Sequence, residues 1–201
     1  MPTKSLKISN FLKTIRENPY VNKLRGVFLF VLITLVIHFS FRFWAHTLHY
    51  FPIREAFTQA SLFMEDVVLQ QSSWFIIHVL RIPTTLQDHT MWFQNHGGIL
   101  ISSGCTGLKQ IIQVLLLFLI YPGPLKHKAW FIPSGIVIIH MTNILRIILL
   151  ALAIISDLPH IEFIHTYILR PLFYVVIFFM WWIWAEKIAH EGRKSSVQNP
   201  V

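Results

Sequence analysis

Residues 129–155 read A-W-F-I-P-S-G-I-V-I-I-H-M-T-N-I-L-R-I-I-L-L-A-L-A-I-I, with Arg146 as the one formal charge. At ~1.5 Å per residue a helix of this length spans roughly 40 Å, more than the ~30 Å hydrocarbon core of a bilayer. The stretch therefore predicts a membrane-crossing helix. Three others agree with it. Gly26–Phe41, G-V-F-L-F-V-L-I-T-L-V-I-H-F-S-F, carries no charge and leads to Arg42 and Trp44. No small-residue cleavage site follows, which predicts a retained span over about 26–46 with Trp44 at an interface. A third block covers about 105–121 and stops at Pro122-Gly123-Pro124; a fourth covers about 163–185 and ends in Trp181, Trp182 and Trp184.

Composition points the same way. The chain has 201 residues, 54% hydrophobic and 13% charged. A soluble domain carries roughly 25% charged residues. One cysteine excludes a disulfide scaffold, and 8 glycines and 10 prolines exclude collagen-like and low-complexity classes. The net charge of +8 is not a nucleic-acid footprint, because the basic residues cluster at segment ends. The expectation is an all-α membrane protein of about four transmembrane helices. A basic N-terminal segment, 1–25, precedes a single membrane domain, 26–186, and a polar tail, 187–201, follows it.

Residues 52–104 join the first two predicted spans. Glu55, Glu65 and Asp66 interrupt the first part, and Gln70, Gln71, Ser72 and Ser73 make 67–80 wet for a span. This predicts an amphipathic helix on one face of the bilayer. Asn95-His96-Gly97-Gly98 separates T-M-W-F-Q from I-L-I-S-S and predicts a small β-hairpin just before Cys105. Lys4, Lys7, Lys13, Arg16, Lys23 and Arg25 precede the first span, Lys126 and Lys128 follow the second, and Lys187, Arg193 and Lys194 follow the last. The loop 156–162 holds Asp157 and Glu162 and no lysine or arginine. The positive-inside rule then puts both termini and the 122–128 loop in the cytoplasm, with 52–104 and 156–162 outside.

Three side chains meet at the outer level in that topology. Cys105, in Gly104-Cys105-Thr106-Gly107-Leu108-Lys109, stands where the hairpin ends and an apolar helix begins. A helix N-terminus and a cation such as Lys109 both favour a thiolate, and the glycines admit a substrate backbone. An inert small hydrophobe is the plain alternative. Arg146 lies ~15 Å from the end of its span. An intramembrane arginine costs ~2.5–3.5 kcal/mol on insertion and is a functional residue by default. Asn143, at i−3, is placed to orient its guanidinium. His165 opens the last span; His160, in a loop, competes with it. A thiol, an imidazole and a guanidinium are the minimum set for cysteine acyl transfer, with the histidine taking the thiol proton and the arginine stabilising the oxyanion or orienting substrate. The histidines form no tight metal-ligand pattern, so no metal or cofactor is expected.

The order of these motifs resembles the exosortase/archaeosortase family of membrane cysteine transpeptidases. The likeness rests on G-C-T-G-L-K-Q before a span, N-I-L-R inside the next, and H-T-Y-I-L-R-P-L-F-Y opening the last, over roughly 95–185. Thr106 stands where a serine is common. The resemblance implies a triad of Cys105, Arg146 and His165, with Asn143, Gly104, Gly107 and Lys109 in support. It implies a protein substrate bearing a C-terminal motif, a transmembrane helix and a basic tail. That substrate would be cut at the outer face of a prokaryotic cytoplasmic membrane. A non-enzymatic assembly or transport module, with Arg146 as a structural or substrate-binding charge, is the other reading. An ion pathway, lined only by Gln110, Gln113, His140 and Asn143, ranks third.

Overall fold

The computed structural model describes residues 19–188. Most of the basic segment 1–25 and of the tail 187–201 lies outside these residues. Helix α1, Pro19–His46, leads through an aromatic turn to α2, Arg54–His78. Strands β1 (Thr84–Gln87), β2 (Thr90–Phe93) and β3 (Gly98–Leu100) follow. Helices α3 (Leu108–Ile120) and α4 (Leu125–Ile155) come next, joined by the short turn 121–124. The final helical run, Ile161–Lys187, is α5.

Three helical segments are long and apolar enough to cross a membrane, namely Leu24–His46, Leu125–Ile155 and Ile161–Lys187. The expected fourth, 105–121, is shorter. Only Leu108–Ile120 is helical, 13 residues, or about 20 Å of axis. Cys105 closes a separate turn, Ser103–Cys105, and Thr106 and Gly107 lead from it into the helix. The span expected over 129–155 begins earlier, at Leu125, so Lys126 and Lys128 belong to the first turn of α4 and not to a loop. Lys128 is buried and its Nζ donates to the carbonyl of Leu119 at 2.8 Å. There it satisfies one of the unpaired carbonyls that end α3.

The helices meet in two apolar clusters. At the end holding the 121–124 turn, Phe30, Phe118, Phe131, Trp181 and Trp184 pack together. Trp184 donates its indole N–H to Pro122 O at 3.1 Å. Gly135 lets α4 approach its neighbours: a Cβ there would stand 2.5 Å from Met180 Cε and 3.2 Å from Val114 Cγ1. Small residues serve this purpose in apolar helix bundles, where close backbone approach gains dispersion contact. At the opposite end Val68 and Ile76 of α2, Met91, Phe93 and Ile99 of the sheet, and Ile147 and Ala151 of α4 form the second cluster.

The sheet is antiparallel in the order β1-β2-β3. The expected hairpin is the β2–β3 pair, with Met91 opposite Ile99 and Trp92 opposite Gly98. A third strand, β1, joins it through Asp88 and His89, both at positive φ. Two consecutive positive φ values match the twist of a two-residue hairpin turn. Met91, Phe93 and Ile99 face the core, while Trp92 and Leu100 face outward.

Candidate active site

The site lies where the two clusters adjoin along α4. Leaving β3, the chain makes a single 3-10 turn, Ser103–Cys105, in which Cys105 N–H donates to Ser102 O at 2.7 Å. Thr106 is almost fully buried. Its hydroxyl donates to Ser103 O at 2.9 Å and accepts from Leu108 N–H at 3.3 Å. A serine hydroxyl could make the same two bonds, so threonine here keeps the turn. Gly107 adopts φ 73° and ψ 1° as the residue before α3. Only glycine takes this left-handed conformation without strain, and a Cβ there would also press on Asn143 Cγ at 3.2 Å. Gly104 is different: it is exposed, and the nearest atom to an added Cβ is Ser102 Oγ at 3.9 Å. Gly107 is therefore required by the chain itself, whereas Gly104 leaves open space beside the thiol.

Asn143 has no exposed surface, and its Nδ2 donates to the Cys105 carbonyl at 2.6 Å. Asn143 Oδ1 is buried with no hydrogen-bond partner. The amide thus ties the cysteine turn to α4 and makes no hydrogen bond to the guanidinium, a different task from the one its i−3 spacing suggests.

Arg146, one turn further on, is 4% exposed. Its Nη2 donates to His165 Nε2 at 2.7 Å, and Cys105 lies close enough to act on the same guanidinium. The guanidinium carbon lies 5.9 Å from the centre of the Phe173 ring, an arrangement worth about 0.5–2 kcal/mol. Its Nε is buried and unpartnered. A buried arginine normally takes a carboxylate partner, and among the described residues no ion pair holds this one. Here the fork is held by an imidazole and a ring, with Nε to spare.

His165 reaches Arg146 because α5 is locally unwound. Ile164–Leu169 is π-helical, closed by Arg170 N–H donating to His165 O at 3.2 Å. Pro171 has no N–H to give to the preceding turn, which favours this wider winding. Such single π segments commonly aim a side chain at a site. His160 sits in a left-handed loop conformation and lines a shallow depression with Glu162, Phe163, Thr166 and Tyr167.

Of the residues singled out in the sequence, Cys105, Arg146, His165, Asn143 and Gly107 are brought together. Lys109 turns toward α1, its Nζ 5.5 Å from the Phe41 ring centre. Of the polar residues considered for an ion path, His140 pairs with Gln71 of α2 at 2.8 Å and Asn143 with the Cys105 carbonyl. Phe173 and Thr106 complete the surroundings and carry no sequence signal of their own. An aromatic residue eight positions after a histidine, in an aromatic-rich helix, is indistinguishable from its neighbours.

The transmembrane exosortase family (Exosortase_EpsH) matches residues 19–188. No curated protein and no solved structure matches the chain.

Proposed function

From the chain's membership of the transmembrane exosortase family, whose members are sorting-related membrane transpeptidases, we propose that Cys105 is its acylated nucleophile, with Arg146 and His165 as partners. The substrate is an exported protein with a C-terminal motif, a transmembrane helix and a basic tail. Cleavage occurs at the outer face of a prokaryotic cytoplasmic membrane. In this arrangement 26–186 is the membrane domain, and segments 1–25 and 187–201 are cytoplasmic.

The observation that carries the reading is the hydrogen bond of Arg146 to His165 Nε2 beside Cys105. A guanidinium can only donate, so His165 Nε2 accepts and the ring proton is on Nδ1. When the scissile carbonyl enters over Gly104, Arg146 turns its fork to the developing oxyanion. That releases Nε2 to take the thiol proton. The sulfur attacks the carbonyl carbon, the tetrahedral adduct collapses, and Nε2–H returns the proton to the departing amine. The remaining thioester is opened by an acceptor nucleophile whose proton passes to Nε2 and from there to the departing sulfur, which restores the thiol.

The test is processing in cells of an exported protein encoded beside this one and carrying such a tail. Cys105→Ala should insert normally and leave the tail uncut. Normal processing by Cys105→Ala would end the cysteine mechanism.

A further inference from the structure

A second group of cations gathers where α1 packs on the start of α3. His38 and Arg42 stand one turn apart on one face of α1. Lys109, the second residue of α3, extends to this face over the Phe41 ring. Tyr174 of α5 closes the group, its hydroxyl 3.2 Å from His38 Nδ1. The charges of Arg42 and Lys109 act on each other and on His38, and no carboxylate acts on Lys109 or His38. Among the described residues neither Arg42 nor Lys109 has an ion-pair partner. Packing thus holds like charges together, and an anion between them would turn mutual repulsion into attraction.

The surroundings narrow the choice of anion. Val31 and Leu35 share the face of His38 and Arg42 at helical spacing and are 43% and 47% exposed. Arg42 lies four residues from the end of α1 at His46, about 6 Å along the axis and at headgroup depth for a spanning helix. The patch is cationic at its tip and apolar below. A free phosphate would use only the tip.

We infer that this face seats one phospholipid of the leaflet at the Cys105 end, its phosphate between Arg42 and Lys109 and an acyl chain along Leu35 and Val31. The inference does not depend on the chemistry of Cys105.

Native mass spectrometry of the full chain released from detergent micelles tests it, with dioctanoyl phosphatidylglycerol as probe. One retained lipid per chain is expected. Losing two charge-assisted bonds in the Arg42→Gln, Lys109→Gln double variant should weaken retention by about tenfold or more. Lys109→Arg, which keeps the charge, and Lys126→Gln, at the far end, should retain the lipid as the unaltered chain does. Equal retention of dioctanoylglycerol, which lacks the phosphate, would overturn the proposal. So would inorganic phosphate displacing the lipid at comparable concentration, because the site would then be one for free anions. Retention unchanged in the double variant would refute it directly.

Discussion

Arg146 holds His165, its Nη2 donating to His165 Nε2 at 2.7 Å, and Cys105 stands beside the same guanidinium. The nitrogen that would accept a proton from the thiol is thereby occupied. Simple assembly of a thiol–imidazole pair does not describe this arrangement. In the proposed mechanism the guanidinium changes partners before the imidazole acts, and an incoming carbonyl supplies the reason for it to do so. The π-helical turn aims His165 at Arg146, whose bond keeps Nε2 unprotonated until that moment.

The first expectation concerns the fork. Lysine at position 146 keeps the charge but offers a single point of attachment, so it cannot present two parallel N–H donors to an oxyanion. Arg146→Lys should insert and fold yet process substrate about a hundredfold more slowly, the scale of losing an oxyanion donor. The comparison is the rate of tail removal in cells, normalised to membrane abundance. Near-normal processing would reduce Arg146 to a point charge.

Thiol reactivity and turnover should separate. Arg146 is the cation that α4 sets beside Cys105, and a neighbouring cation favours the nucleophilic thiolate. Arg146→Leu should therefore slow alkylation of Cys105 by iodoacetamide, whereas His165→Ala should change alkylation little and still abolish processing. If His165→Ala slows alkylation as much as Arg146→Leu does, the imidazole acts on the resting thiol and the partner exchange is wrong.

The two glycines beside Cys105 should behave oppositely. Gly107→Ala meets both a left-handed backbone and Asn143 Cγ at 3.2 Å, so it should destabilise by about 1–3 kcal/mol. Adding Asn143→Ala should relieve only the contact and not the backbone cost. Gly104→Ala has room and should leave the melting temperature in detergent unchanged while slowing processing, since a methyl group then occupies the approach to the thiol. Equal loss of stability in both single variants would contradict this division.

How far the sequence reveals this arrangement depends on what kind of signal each part leaves. The long helices announce themselves, because hydropathy over twenty residues is a bulk property. Helix α2 does not: its buried face is Ser61, Val68, Ser72, Ser73 and Ile76. Three serines hide that face from any hydrophobic periodicity, although Ser72 satisfies its hydroxyl on its own helix at Val68 O. Strand β1 is equally silent, since Asp88-His89 is a weak turn signal compared with Asn-Gly. In the site, Cys105, Arg146 and His165 stand out as rare residue types in apolar surroundings. The Asn143 bond to the Cys105 carbonyl does not, because helical spacing ties Asn143 to Arg146 while tertiary packing gives it to a residue 38 positions away.

The last expectation is the sidedness of the bundle. Lys126 and Arg146 are twenty residues apart on α4, or about 30 Å, which matches the thickness of a bilayer core. Lys126 is exposed at one end of the bundle, and Leu100, 59% exposed on the sheet, marks the other. By the positive-inside rule, Lys126 and Lys128 at the first end, with Arg25 at the start of the first span, lead us to expect that end in the cytoplasm. In a Cys105→Ser background, Leu100→Cys should react with a membrane-impermeant maleimide in intact spheroplasts. Lys126→Cys should react only after permeabilisation. A native Cys105 should label from outside more slowly than Leu100→Cys, because the turn half-covers it. The reverse pattern, with Lys126→Cys labelled first, would place the thiol on the cytoplasmic side, where an exported substrate no longer presents its tail.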